Sequence, residues 1–284
     1  MKTLETAHSI TALCAAFDVS RSGYYRWRAP RPSRRGGEDA RLKIEIKHLH
    51  GQSRGTYGRP RLLAGLRRGG EHTSSRRVAR LMRELGLRGV RKGGYRPSTT
   101  ESRHQLACWP NRLREASPPS RPDQVWVSDM TYVPTREGWL YVAGVLDQCS
   151  RRLVGLAMAP RLDASLPEAA LRQALIRRAG KHRGLIHHSD QGVQYASDLY
   201  QQTLRRHGLV PSMSRKAHCT DNAHMESFWA TLKTELPVEG TFATLKQASL
   251  AIFEYVEVFY NRKRLHSALG YQTPVDFELN PTYT

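Results

Sequence analysis

The chain has 284 residues, 39% of them hydrophobic, with 45 Lys and Arg against 25 Asp and Glu for a formal net charge of +20. That length supports more than one module and a sizeable core, while the absence of a run of about 18 apolar residues excludes a membrane-spanning helix. The charge is uneven: residues 1–120 carry 26 basic against 9 acidic side chains, and residues 121–284 carry 19 against 16. A polyanion is therefore the expected partner of the first half, because basic groups gain free energy by displacing counterions from phosphates.

Residues 1–28 are predicted to form a helix-turn-helix-like segment. Ile10, Leu13, Cys14 and Phe17 give an apolar face, Asp18-Val19-Ser20 a turn with a capping serine, and Arg21 to Arg28 a basic, aromatic second element. Arg26 and Arg28 are candidate DNA contacts on that element; a helical hairpin docked on another domain fits the same residues. Residues 29–40, with Pro30, Pro32, Gly36 and Gly37 among Arg31, Arg34 and Arg35, have the composition of a basic linker.

Residues 41–92 are predicted to be a helical DNA-binding module. Leu42, Ile46 and Leu49 share one helix face, a break surrounds Tyr57, and Leu62, Leu63 and Leu66 lie on a second helix. Thr73-Ser74-Ser75 then caps a third helix, in which Val78, Leu81, Met82 and Leu85 recur at helical spacing before Gly86. Its other face carries Arg76, Arg77, Arg80 and Arg83, candidate contacts to a phosphate backbone. Residues 93–122, rich in Gly and Pro, are expected to be an extended connector.

From Gln124 the pattern changes. Strands are predicted at 125–133, 139–147 and 153–158, then a helix at 167–178, a strand leading to Asp190, a helix at 197–207, a short strand at 209–213 and a helix beginning near Asn222. The order βββαβαβα is that of a mixed sheet covered by helices. Asp129 lies inside the first strand, Asp190 closes the fourth, and Glu226 follows after 35 intervening residues on a helix. The first and fourth strands can be sheet neighbours, so the two Asp can approach each other. Three converging carboxylates repel unless one is protonated, so their company makes sense around a divalent cation.

These residues resemble the transposases of bacterial insertion sequences of the IS-three type, whose core is related to retroviral integrases and RNase H-like nucleases. The resemblance rests on Trp126-Val127-Ser128-Asp129-Met130-Thr131-Tyr132, His188-Ser189-Asp190-Gln191-Gly192, Asp221-Asn222-Ala223-His224-Met225-Glu226-Ser227-Phe228 and the terminal run Tyr260 to Pro274. It implies an α/β fold, an RNase H-like mixed five-stranded sheet flanked by helices over residues 123–260, preceded by small all-α modules and followed by a tail, 261–284. It further implies a DDE transposase in which Asp129, Asp190 and Glu226 are the catalytic and metal-binding acids. Two Mg²⁺ per site are expected, replaceable by Mn²⁺, with Asp129 bridging them and the other acids completing one each. The implied partners are double-stranded DNA, at element ends and target, other copies of the chain in the DNA complex, and an upstream-frame protein as fusion or partner.

Helix geometry puts Lys233 on the face of Glu226, where it is expected to meet a DNA phosphate, while Met225, Trp229, Leu232 and Leu236 form a buried stripe. Asn222 is a candidate to orient Glu226 or touch the scissile strand. His187 and His188 point to opposite faces of a strand with no cysteine pair to complement them, so zinc is not expected; one is predicted in the core and one at the site mouth. Asp147 is expected to pair with Arg151 or Arg152, and Asp221 to cap a helix. Tyr260, Arg262, Arg264 and His266 mix aromatic and basic groups as DNA contacts do, although a clamp on the core fits as well. Cys14, Cys108, Cys149 and Cys219 are scattered, so no disulfide framework is indicated, and with no signal-type apolar start a cytoplasmic location is expected. A DNA-binding regulator with an unused core and an RNase H-like nuclease are the alternative functions.

Overall fold

The computed structural model describes residues 2–4, 6–29, 34–90, 108–114, 116–180, 182–215, 219–236 and 241–280. At the N-terminus, α1 (Ile10–Ala16) and α2 (Arg21–Arg28) form the expected pair, each started by a serine, Ser9 and Ser20, whose hydroxyl accepts a backbone N–H of the first turn. Leu13 and Cys14 are buried, but Phe17 is half exposed.

Helix α3 (Arg34–Gln52) begins earlier than composition suggests, taking in half of the segment expected as linker. Charge pairing explains this: Arg34 pairs with Glu38 one turn on, and Glu38 and Asp39 face Arg77 across the module. Helix α4 (Arg59–Arg68) and α5 (Ser75–Glu84), the latter capped by Ser74, complete a three-helix module around Ile46, Leu62, Leu66, Val78 and Leu81. Most of the connector expected at 93–122 lies outside the described residues. Its described end is pinned to the next domain by Trp109 donating to Gln201 and Asn111 donating to Asp221.

The second half is built on a mixed sheet. Strands β1 (Val125–Thr135), β2 (Gly138–Asp147) and β3 (Leu153–Ala159) are antiparallel hairpin neighbours, while β4 (Ile186–Ser189) and β5 (Val210–Met213) run parallel to β1, in the order β3-β2-β1-β4-β5. The mixed five-stranded sheet flanked by helices is as expected. Alternation along β1 divides the core. Trp126 and Met130 face α6 (Ser165–Arg178), α7 (Val193–Ala196) and α8 (Asp198–Arg206); Val125, Val127 and Val133 face α9 (Ala223–Glu235) and α10 (Leu245–Glu254).

After α10 the chain winds through a six-residue π-helix, Tyr255–Tyr260, and ends with α11 (Pro274–Leu279). The core under α9 is continuous with that of the α3–α5 module, so both halves of the chain share one apolar interior. On the outer edge of the sheet, Asn261 exchanges two side-chain hydrogen bonds with the backbone of Leu153, both 3.0 Å, and Gln173 accepts the N–H of Leu156 at 2.6 Å. Among the described residues no helix is long and apolar enough to cross a membrane.

Candidate active site

Asp129 and Asp190 are brought together by sheet register. Strand β1 pairs with β4 as Val125↔Ile186, Trp126↔His187 and Val127↔His188; continued two steps, this puts Asp190 level with Asp129 on a strand about 4.8 Å away. Asp190 sits just past the end of β4, where its Oδ1 accepts the Gly192 N–H at 2.9 Å. The Met130 N–H donates to Asp129 Oδ1 at 2.8 Å.

Glu226 arrives on α9 by two contacts with the same part of the sheet. Asn222, in the turn before the helix, donates its amide to the Ser128 carbonyl at 2.9 Å, one residue from Asp129. Gly144, the β2 partner of Asp129, is where the helix lands: a Cβ there would stand 3.1 Å from both Met225 and Trp229 side chains. Glu226 is thereby held in the first turn of α9, exposed, on the side of the sheet to which Asp129 points.

Electrostatics ties Asp129 to both other acids. Burial pushes the Asp129 carboxyl well above the usual carboxylate range, and the charges of Asp190 and then Glu226 push it the same way. The Trp229 indole lies near enough to oppose the rise, though outside hydrogen-bond geometry. Among the described residues no three His, Cys, Asp or Glu side chains form a ready-made metal cage. The acids converge without closing.

Lys233 is half-buried, its ammonium 5.2 Å from the centre of the Tyr132 ring, and burial lowers its pKa to about 8 against the pull of Asp129. Asn222 requires a correction: it is 6% exposed with its amide committed to β1, so it positions α9 and does not present itself to DNA. Both neighbouring histidines are core. Ser128 and Tyr200 bond His187 Nε2, and Ser212 and Ser214 bond the two ring nitrogens of His188, so neither lies at a site mouth. Asp147 pairs with neither Arg151 nor Arg152; it accepts the Asp123 and Ser150 N–H groups and organises a loop. Asp221 is no helix cap, being bound by Arg215 and Asn111.

The arginines also divide. On α5, Arg77 is paired with Asp39 and Glu38, and Arg80 with Asp39 and Glu84, so the face expected to be of one sign is partly neutralised, while Arg76 and Arg83 stay exposed. Arg34, Arg35, Arg76, Arg77 and Arg80, with Glu38 and Ser74, line an open cleft of about 630 Å³. Arg26 and Arg28 are exposed at the end of α2. Arg264, in contrast, is 3% exposed and bidentate to Glu235, with Tyr260 and His266 also buried, which removes these three from the DNA-facing surface. Gly144 escaped the sequence reading, although a lone glycine inside a strand is the available sign of a close approach.

A family model described as integrase core domain matches residues 119–219, a second of the same description matches 207–274, and an HTH-like domain model matches 38–95. The chain is 47% identical over 265 residues to the insertion element IS600 31 kDa protein of Shigella sonnei, with 93% of this chain and 97% of that protein aligned. It is 40% identical to the transposase for insertion sequence element IS904 of Lactococcus lactis, covering 87% and 97%. To the transposase InsF of insertion sequence IS3A of Escherichia coli it is 39% identical, covering 95% and 94%. Among solved structures, a simian T-cell lymphotropic virus intasome in complex with a PP2A regulatory subunit matches at 15% identity and TM-score 0.46, covering 84% and 76%. The HTLV-2 integrase catalytic core domain in complex with magnesium matches at 14% and 0.40, covering 56% and 97%.

Proposed function

The chain belongs to the insertion-sequence transposases with an integrase core domain, and from that premise we propose that Asp129, Asp190 and Glu226 are the acids of its DNA cleavage and strand transfer. As a DNA transposase it is a polynucleotidyl transferase. The observation that carries the assignment of the acids is the geometry, a register that puts Asp190 level with Asp129 and a helix that lands Glu226 on the same part of the sheet, where burial and then the charges of Asp190 and Glu226 raise Asp129. Carboxylates forced together by a rigid sheet and a pinned helix are held against their own repulsion, which is useful where a cation joins them.

An all-oxygen donor set of this kind suits a hard divalent cation, and in this reading the acids would take Mg²⁺, two per site, or Mn²⁺ in its place. Bound there, the ions would activate an attacking water or 3′-hydroxyl and stabilise the departing oxygen. Asp129, Asp190 and Glu226 would hold them. The chain's own part is positional: Met130 fixes the Asp129 carboxyl, and Asn222 and Gly144 set the height of Glu226 above it. Lys233, beside Tyr132 and under the pull of Asp129, is suited to hold a phosphate of the scissile strand. Arg76 and Arg83, with Arg77 and Arg80 held by their acids, offer guanidinium groups to the backbone further along, as do Arg26 and Arg28 on α2. Hydrolysis breaks a P–O bond to free a 3′-hydroxyl at the element end; that hydroxyl then attacks a second phosphodiester, releasing a new 3′-hydroxyl. Joining two ends in one event calls for at least two copies in the complex.

The test is incubation of the purified protein with Mg²⁺ and end-labelled element DNA. Joined product that disappears with Asp129→Asn supports the proposal. Cleavage without joining points to a nuclease, and retarded DNA without cleavage to a regulator.

A further inference from the structure

We infer that α9 and the C-terminal run Tyr255–Leu265 form a rigid coupling that fixes the helical module relative to Glu226, so that the module's grip on DNA determines which phosphodiester is cut. The inference rests on the transposase reading. Three observations build it.

The first is a junction between halves of the chain. Tyr57, 5% exposed in the module, accepts the Leu265 N–H at 2.7 Å and donates to the Lys263 carbonyl at 3.3 Å. Arg61 donates to the Leu265 carbonyl at 2.9 Å with its guanidinium 5.7 Å from the Tyr57 ring centre. At the rim, Arg68 pairs with Asp276 at 2.7 Å. A flexible tether between two DNA-handling domains has no use for buried, sequence-distant hydrogen bonds of this kind.

The second is the continuation into α9. Arg264, next to Leu265, binds Glu235 by two bonds of 2.7 and 2.6 Å, and Tyr255 donates to the same carboxylate at 2.9 Å. Glu235 is the last residue of the helix whose first turn carries Glu226, about 14 Å away along a rigid rod. A chain of bonds therefore runs from the module to the acid.

The third is the π-helix that makes both grips possible. Its wide turn, with Asn261 N–H on the Val256 carbonyl at 3.0 Å and Arg264 N–H on the Phe259 carbonyl at 2.8 Å, turns Tyr255, Val256, Phe259 and Tyr260 all inward. Phe259 lies tilted against Tyr57, ring centres 6.5 Å apart, while Tyr260 meets Phe228 of α9 edge-on. Short π-helical turns of this sort cost backbone regularity and are kept where a geometry is needed.

The experiment compares the full-length protein with Tyr57→Ala/Arg61→Ala on element-end DNA, mapping cleavage to the nucleotide. The coupling predicts DNA affinity within about twofold of the parent, because the phosphate contacts are untouched, a rate reduced about tenfold, and cuts spread to neighbouring phosphodiesters. A merely structural role lowers yield without moving the cut, so a folded double variant that cuts only at the parental position overturns the inference. Hydrogen exchange on the unaltered protein decides it independently of activity. Amides of α4, Leu265 and α9 opening as one unit support the coupling, and α4 opening apart from α9 overturns it, whether the variant folds or the protein cleaves at all. A parent protein that exchanges as one unit yet never cuts DNA speaks against the transposase reading alone.

Discussion

Helix α9 carries a glutamate near each end, and the two meet opposite surroundings. Glu226 is exposed in the first turn and adds its charge to Asp129 and Asp190, whereas Glu235 is buried at the last position under Arg264 and Tyr255. One carboxylate is gathered with like charges and the other is matched with an opposite one. The contrast teaches that the two acids differ in compensation as well as in burial. A matched charge in the interior fixes geometry, and Asp129, raised by burial and by the charges of two neighbouring acids, marks a site where function accounts for the unfavourable energy.

The largest effect expected from breaking this contrast is at Glu226. Glu226→Gln should reduce strand transfer on the order of a thousandfold while changing the urea unfolding free energy by no more than about 0.5 kcal/mol, as befits an exposed site; a large loss of stability would make it a structural acid like its counterpart. Glu235→Ala should do the reverse, lowering stability by about 3–5 kcal/mol because Arg264 is left buried without its counterion. Unfolding curves with an unchanged midpoint would contradict that. Gly144→Ala sharpens the comparison from the sheet side: the added methyl pushes Met225 and Trp229 and lifts α9, costing about 1–3 kcal/mol and, through displacement of Glu226, up to about a hundredfold in rate at constant DNA affinity. Parental kinetics in this variant would show that the approach of helix to sheet is not what sets the site.

The smallest effect is a pH dependence that tests the floor under Asp190. His187 and His188 are held neutral by burial, with pKa values of about 3 and about 4 against an ordinary 6.5. Their folded pKa is depressed, so protonation favours the unfolded chain; stability is complete above pH 6.5 and is lost as pH falls toward 4. At pH 5 the loss is about 2 kcal/mol per histidine. His188→Asn should remove about that much of the drop between pH 6.5 and 5, and a drop equal to the parent's would exonerate His188.

Much of this was legible in the residues. The β-rich run from Val125 to Val133 marked β1, and the strand order allowed β1 and β4 to be neighbours, from which an approach of Asp129 and Asp190 follows. The three acids stood out by their company, one inside the first strand, one closing the fourth and one on a helix after the fifth. Helix α7 did not, since four residues are too few to display a period. What escaped was pairing across distance. Arg77 and Arg80 looked like a free basic face because their partners, Glu38 and Asp39, lie some forty residues earlier in a stretch that reads as linker. Arg264 fitted a DNA contact and a clamp on the core alike, because its partner is on another helix, and the fold makes it the clamp. Local pattern shows where a charge sits on its own element; only the assembled fold shows what stands opposite.

The amides that close the rim of the sheet carry a consequence for self-association. Strand β3 is terminal in the sheet, and a terminal strand offers unpaired N–H and C=O groups to any strand of another molecule. Asn261 and Gln173 occupy the positions at Leu153 and Leu156 where such a strand would begin to pair. One of these guards comes from the residue that follows the π-helix, so loss of the last 24 residues would uncover an adhesive edge as well as release Glu235, and truncated chains should precipitate at concentrations the whole protein tolerates.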